Sequence, residues 1–168
     1  MSYWAFRTAL RDSYLTRRIF EGKAFIASHR FEAVDAEGTV QVLFSNPSES
    51  GIIAHLIALE VYTGGLAYVD VLRNVAVSTS GTSVDPLNLN MASNNSAKCE
   101  VEYGGSYSGG VTALSVIVPG GTLVRAIGSV IDVGEEVIVP EGQNILTSVT
   151  NKAGTAIDIA IKIIWWEE

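Results

Sequence analysis

The two histidines and the single cysteine are the residues best suited to nucleophilic chemistry. A serine or cysteine nucleophile needs a base beside it, and that base is usually a histidine. His29 and His55 are far apart in the sequence, and each lies in an apolar run typical of a strand. Cys99, in "SAKCEVEY", lies between Lys98 and Glu100 without the flanking pattern of a thiol enzyme. We therefore predict structural roles for both histidines and the cysteine, and no catalytic residue.

Paired carboxylates could also do chemistry, because glycosidases use two of them and Ca²⁺ binds carboxylate oxygens. The pairs at 135–136 and 167–168 are adjacent in sequence, so their members point to opposite faces of a strand. Only Glu100 and Glu102 share a face, with Cα atoms about 7 Å apart. Edge strands commonly carry charges that block unwanted pairing, so we interpret this pair as a solvated face.

The segment "GEEVIVPEG", residues 134–142, has the glycine and proline spacing of the second cupin motif. Cupins are jelly-roll proteins, and this motif places a metal-binding histidine three residues after its second glycine. Ile145 occupies that position here, and an aliphatic side chain has no lone pair to donate. The turns therefore resemble those of a jelly roll while the metal ligands are missing, and we predict no metal and no cofactor.

Charge is distributed unevenly along the chain, whose 168 residues carry a net charge of −7. Residues 1–30 contain six Lys/Arg and two Asp/Glu, whereas residues 31–168 contain five and sixteen. A basic segment before an acidic body suggests contact with nucleic acid, a membrane surface or the acidic face of a neighbouring copy. Solvated arginines on an N-terminal helix or extension are the alternative. The candidate nucleic-acid or neighbour contacts are Arg7, Arg11, Arg17 and Arg18.

From residue 23 onward the sequence predicts β-structure almost throughout. Runs rich in Val, Ile, Thr and aromatic residues alternate with clusters of Gly, Pro, Asn and Ser. About ten short strands with almost no helical period indicate a sandwich or a barrel. We predict an all-β, jelly-roll-like antiparallel β-sandwich over residues 23–168, after a basic arm or short helix over residues 1–22. The strands are predicted near 23–34, 39–45, 51–62, 66–79, 98–103, 111–118, 122–131, 135–139, 144–150 and 155–166.

Two segments carry apolar residues on faces that a two-layer sandwich would leave exposed. "GIIAHLIALEV", residues 51–61, is apolar on both faces, so its second face needs a cover. In "AGTAIDIAIKIIWWEE", residues 153–168, large apolar residues fill the odd positions until two even positions near the end break the rule. We expect the N-terminal segment or a neighbouring subunit to cover this outer face. The candidate subunit contacts are Trp4, Phe6, Ile164 and Trp166.

The order of the turn motifs resembles that of small β-sandwich structural proteins of tailed phages and other viruses with double-stranded DNA. The residues that carry it are "FSNPSESG" at 44–51, before an apolar strand, and "VIVPEGQNILTSVTNKAGTAIDIAIKIIWWEE" at 137–168. The resemblance implies a non-enzymatic capsid, decoration or tail protein that works as a homo-oligomer in a virion assembled in the host cytoplasm. The basic arm departs from this pattern and leaves open whether it contacts DNA or a neighbouring subunit.

The leading hypothesis is therefore a self-assembling virion structural protein, in a trimer or larger ring and with other virion proteins as partners. The alternative is a carbohydrate- or cell-surface-binding module that uses Tyr103, Tyr107 and the Asn/Ser-rich loop at 88–96. Exposed aromatic and amide groups suit stacking on sugar rings and bonding to hydroxyls. We expect no membrane span and no secretory signal, because no run of 18 apolar residues occurs and the first residues lack an apolar region.

Overall fold

The computed structural model of the chain describes residues 14–119, 126–131 and 136–168. These residues form one helix and fourteen strands, most of them separated by tight turns. The elements are α1 (14–20), β1 (Ala24–Val34), β2 (Thr39–Ser45), β3 (Ala54–Thr63), β4 (Ala67–Arg73), β5 (Ala76–Thr79), β6 (Thr82–Ser83), β7 (Leu87–Asn88), β8 (Glu100–Tyr103), β9 (Ser106–Ser108), β10 (Val111–Val118), β11 (Ala126–Ile131), β12 (Val137–Val139), β13 (Asn144–Asn151) and β14 (Ile157–Glu167).

Two six-stranded antiparallel sheets pack face to face and contain most of these strands. Sheet A has the order β11-β3-β14-β1-β7, with β12 also paired to β3. Sheet B has the order β10-β4-β13-β2-β8-β6. The strands β5 and β9 pair with each other in a separate two-stranded ribbon, which we call the β5–β9 ribbon.

The long strands are distributed between the sheets in the manner of a jelly roll. β14 lies between β1 and β3 in sheet A, and β13 lies between β2 and β4 in sheet B. Strands that are neighbours in space therefore come from opposite ends of the sequence, as the two Greek keys of a jelly roll require. The predicted all-β, jelly-roll-like sandwich is confirmed.

The core lies between the sheets and is built by strict alternation of side chains. In β14 the odd positions from Ile157 to Trp165 all face inward and are buried, as the sequence pattern predicts. The valines Val69 of β4 and Val149 of β13 meet them from sheet B and are fully buried. Each such side chain stabilises the fold by about 1.5–3 kcal/mol before chain entropy is subtracted.

The helix α1 packs on the outer face of sheet A. Its Leu15 and Ile19, four residues apart on one side of the helix, contact the buried Ala24, Ile57 and Trp166. The second cover that the sequence requires for β3 thus comes from the chain itself. Among the described residues, no helix has the length and apolarity needed to cross a bilayer.

Two departures from the predicted elements have local causes. The predicted strand at 66–79 is divided because Asn74 adopts a positive φ of 57°, which turns the chain between β4 and β5. The side chain of Asn144 fixes this turn by bonding both the N–H and the C=O of Val75. The short strands β6, β7 and β9 lie in segments predicted as loops, because two or three residues are too few to show a period.

Candidate functional site

Trp166 is the centre of an aromatic and ionic cluster on the outer face of sheet A. Its indole stacks on the ring of His55 with centroids 3.6 Å apart and an interplanar angle of 12°. The ring of Tyr14 meets the indole edge-on at 5.4 Å, and the guanidinium of Arg18 lies 4.4 Å from the indole ring centre. The indole is therefore enclosed by α1 and β3, and only 2% of Trp166 is exposed.

Two carboxylates complete this cluster, which we call the Trp166 cluster. Glu136 Oε1 lies 3.0 Å from His55 Nδ1 and accepts a 3.0 Å hydrogen bond from Trp166 Nε1. Glu168 Oε1 lies 3.1 Å from His55 Nε2, and its other oxygen is 3.5 Å from Arg18. The cluster thus connects α1 to β3 and to the end of β14 through bonds as well as packing. Its members are Tyr14, Arg18, His55, Glu136, Trp166 and Glu168.

The Trp166 cluster shows one of the two covers that the sequence predicts for the outer face of β14. Within the chain, α1 covers Trp166 and leaves only 2% of it exposed, so little of the indole remains for contact with another copy. The cover is the N-terminal segment, acting through Tyr14 and Arg18. Ile164 is half-buried in the same place, against α1. The predicted contacts Trp4 and Phe6 lie outside the described residues.

The predicted basic contacts divide into engaged and exposed side chains. Arg18 bonds Glu21 at 3.0 Å and the hydroxyl of Tyr14 at 2.7 Å. Burial alone would lower the pKa of Arg18, but the hydrogen bonds to Tyr14 and Glu21 outweigh burial and raise the pKa. Arg17 pairs with Glu21 at 2.8 Å on the exposed side of α1. Arg18 is therefore engaged in contacts within the fold, whereas Arg17 remains a candidate contact for nucleic acid or a neighbouring subunit. Arg7 and Arg11 lie outside the described residues.

The carboxylate of Glu167 is buried at the edge of the core, beside the Trp166 cluster. Oε1 of Glu167 accepts hydrogen bonds from the backbone N–H of Lys98 at 3.0 Å, from that of Cys99 at 2.9 Å and from Trp165 Nε1 at 3.0 Å. Burial and this carboxylate raise the pKa of the Cys99 thiol, which disfavours the reactive thiolate. Cys99 is buried, as its predicted structural role requires.

His29 also lies within a strand, as predicted, at the middle of β1 and five residues beyond the position that pairs with Trp166. Its ring stacks on Tyr103 with centroids 3.6 Å apart and contacts Phe31 edge-on at 4.6 Å. Burial lowers the pKa of His29. Tyr103 is thus half-buried against the core, where its face is already occupied by the imidazole.

The predicted sugar-binding set is not brought together. Tyr107 lies on the outer side of sheet B, where its hydroxyl donates to Glu102 at 3.2 Å. Burial and the Glu102 carboxylate raise the pKa of Tyr107 to about 12. The 88–96 loop lies instead beside sheet A, where Asn88 and Asn90 bond the backbone at the end of α1. Glu102 also accepts a bond from a backbone N–H, so it acts as an anchor and not as half of a carboxylate pair.

The edge of sheet B presents the most exposed apolar surface of any long strand with described side chains. In the described residues, β10 pairs only with β4, and β11 of sheet A approaches its other edge without forming a strand pair. Its sequence "VTALSVIV" contains no charge and no proline, and Val111 and Ile117 are 55% and 63% exposed. The opposite edge of the same sheet is β6, which has two residues. Short edges resist pairing with another chain, whereas a long apolar edge promotes it.

Within residues 14–119, 126–131 and 136–168, no group of three or more His, Cys, Asp or Glu side chains is arranged to hold a metal ion. No protein-family model matches the sequence, and no curated protein is significantly similar to it.

Proposed function

We propose that this chain is a non-enzymatic structural protein of a virus particle, and that it assembles with copies of itself through β10. The observation that carries the proposal is an eight-residue apolar strand at the edge of sheet B with one edge unpaired among the described residues. A monomer with such an edge is prone to association, because the free N–H and C=O groups of the strand are a template for another strand.

The partner that fits β10 best is a second copy of the chain. The pairing surface is uncharged, so it suits another apolar strand better than an acidic or basic partner. Exposed Ile117 lies opposite Tyr68 on β4, so apolar side chains would also meet across the outer face near a new strand pair. Two β10 strands meeting about a two-fold axis would give a dimer, whereas β10 meeting a different edge would give a ring or an open filament.

The virion role is supported by the fold and by the turn motifs. Jelly rolls occur in viral capsid proteins and also in lectin domains and cupins. The strand order is therefore consistent with a capsid, decoration or tail protein, by analogy of fold. The resemblance of residues 44–51 and 137–168 to phage structural proteins points the same way.

The assembly step can be tested with one substitution in β10 and a matched control. Ile117→Lys places a charge on the exposed edge strand, and we expect it to reduce the oligomer to a monomer in light scattering coupled to size-exclusion chromatography. Met91→Lys adds the same charge at a loop residue that is 87% exposed, and it should leave the mass unchanged. Far-ultraviolet circular dichroism spectra that match the wild type would show that neither change acts by unfolding, whereas loss of assembly alone can lower the melting temperature.

Two results would contradict the proposal. The wild-type chain could be a monomer throughout the micromolar range, or Ile117→Lys could keep the wild-type mass. An oligomer that depends on β10 would leave the virion role to be tested by co-purification of the chain with assembled particles.

A further inference from the structure

A row of polar side chains crosses the outer face of sheet B. Gln41 on β2 lies opposite Ser148 on β13, Ser148 lies opposite Asp70 on β4, and Asp70 lies opposite Ser115 on β10. Four adjacent strands thus place one polar residue each at the same level. We call these four residues the polar row.

The polar row faces outward because the alternation of the strands requires it. Val69 directly precedes Asp70, and Val149 directly follows Ser148. Both valines are fully buried in the core, so the adjacent polar residues point outward. Gln41 Nε2 lies 3.5 Å from the hydroxyl of Ser148, and the hydroxyl of Ser115 bonds Asp70. Two of the three neighbouring pairs are therefore bonded before any ligand is present.

A groove lies between the polar row and the β5–β9 ribbon. It encloses about 340 Å³, which is at the lower end of the roughly 300–1,000 Å³ typical of small-molecule sites. Leu72 and Leu146 form its apolar floor, and Tyr107 and Ser108 form the wall on the side of the ribbon. Gln41, Asp70 and Ser148 contribute the opposite, polar side.

The wall of this groove is held in place by bonds that a ligand need not supply. The hydroxyl of Tyr107 donates to Glu102 and accepts from the N–H of Gly105 at 3.2 Å. A Cβ on Gly105 would come within 2.5 Å of that hydroxyl, so the close approach requires a glycine. The Tyr107 ring is thus positioned in advance, which lowers the entropy lost when a ligand binds.

The chemistry of the lining identifies the class of ligand. Amide, hydroxyl and carboxylate groups face the groove, and its described lining contains neither lysine nor arginine. The Asp70 carboxylate would repel a phosphate, a sulfate or an acidic sugar. A ligand hydroxyl can both donate to Asp70 and accept from Gln41, while the leucine floor accommodates C–H groups.

An extended peptide fits this groove less well than a sugar. The strands β2, β13 and β4 are each paired on both sides, so their main-chain groups are used within sheet B. A peptide could not add to them as a strand, and recognition must come from side chains. Side-chain donors and acceptors beside an aromatic ring suit the hydroxyls and C–H faces of a saccharide.

We propose that the groove between the polar row and Tyr107 binds a neutral saccharide, with Asp70 and Gln41 as its principal hydrogen-bonding residues. The site goes beyond assembly through β10 and does not depend on it. It differs from the sugar site predicted from the sequence, because it excludes Tyr103 and the 88–96 loop and uses polar residues of three sheet strands.

The test is NMR titration of the full chain with glucose, galactose, mannose, N-acetylglucosamine and short neutral oligomers of each. At least one sugar should shift the Gln41 side-chain amide in a saturable manner. Asp70→Ala should weaken that binding at least about tenfold, because a hydrogen bond to a charged group is lost. Asp85→Ala removes an exposed carboxylate outside the groove and should bind like wild type.

Several outcomes would overturn the saccharide site. They are the absence of saturable shifts with every sugar, binding that Asp70→Ala leaves intact, and preferential binding of sialylated or sulfated sugars. Saturable binding of an extended peptide that Asp70→Ala abolishes would assign the groove to a different ligand. Ile117→Lys separates the two proposals, because it should abolish assembly while sugar binding through Gln41 and Asp70 remains.

Discussion

Removal of the Glu167 carboxylate should destabilise the fold far more than removal of an exposed one. Glu167 is 7% exposed, and its Oε1 atom accepts from Lys98, Cys99 and Trp165. In Glu167→Ala the backbone N–H of Cys99 and the indole N–H of Trp165 lose these bonds inside the core. Each unpaired buried donor costs about 1–3 kcal/mol, so the free energy of unfolding should fall by about 2–6 kcal/mol.

A fall of that size is a large part of the about 5–15 kcal/mol that stabilises a typical domain. Glu167→Gln provides the sharper comparison, because its amide oxygen can accept the same three bonds. Its NH₂ group lacks the charge and faces the N–H of Lys98, so we expect a loss of only about 1 kcal/mol. Glu100→Ala, at an exposed position on β8, should change stability by less than about 0.5 kcal/mol.

Urea unfolding followed by tryptophan fluorescence measures all three variants, and the denaturant slope should stay constant if only the native state changes. The reasoning is refuted if Glu167→Ala stays within about 0.5 kcal/mol of wild type. It is also refuted if the alanine and glutamine variants lose equal stability, since the hydrogen bonds that the glutamine oxygen still accepts would then contribute nothing.

Two further predictions concern α1 and His29 at the middle of β1. Trp166→Ala should lower the free energy of unfolding by about 3–5 kcal/mol and expose α1 to limited proteolysis, because the indole is enclosed by that helix; protection equal to wild type would contradict this. The pKa of His29 is lowered by burial, so the unfolded state takes up a proton first and stability should fall as the pH drops below about 6.5. His29→Phe should flatten that part of the stability–pH curve measured by urea unfolding, and an unchanged acid limb would argue against it.

The sequence predicts the strands well where alternation is long and the turns contain glycine or proline. β2 and β10 begin and end at the predicted residues, and the odd positions of β14 lie in the core. The pattern also shows that the outer face near Trp166 needs a cover. It could not decide between α1 and another subunit, because periodicity reports that a face is buried and not what covers it.

The groove beside the polar row was harder to predict than the fold, because its lining depends on the register between distant strands. Ser148 and Gln41 are separated by more than a hundred residues, and only the pairing of β13 with β2 places them side by side. Tyr103 and Tyr107 are close in sequence, yet one packs toward the core and the other lies outside sheet B. The isolated aromatic residues gave no signal that could separate these two environments.

The position of β14 between β1 and β3 has a consequence for synthesis of the chain. β14 follows every other strand in the sequence. During synthesis β1 and β3 therefore emerge from the ribosome before β14, the strand that lies between them in sheet A. During that interval β3 exposes apolar side chains on both faces, and nascent chains on one messenger are near one another. A β14 from a neighbouring chain could then fill the vacant position, so the order of synthesis favours exchange of this strand between copies.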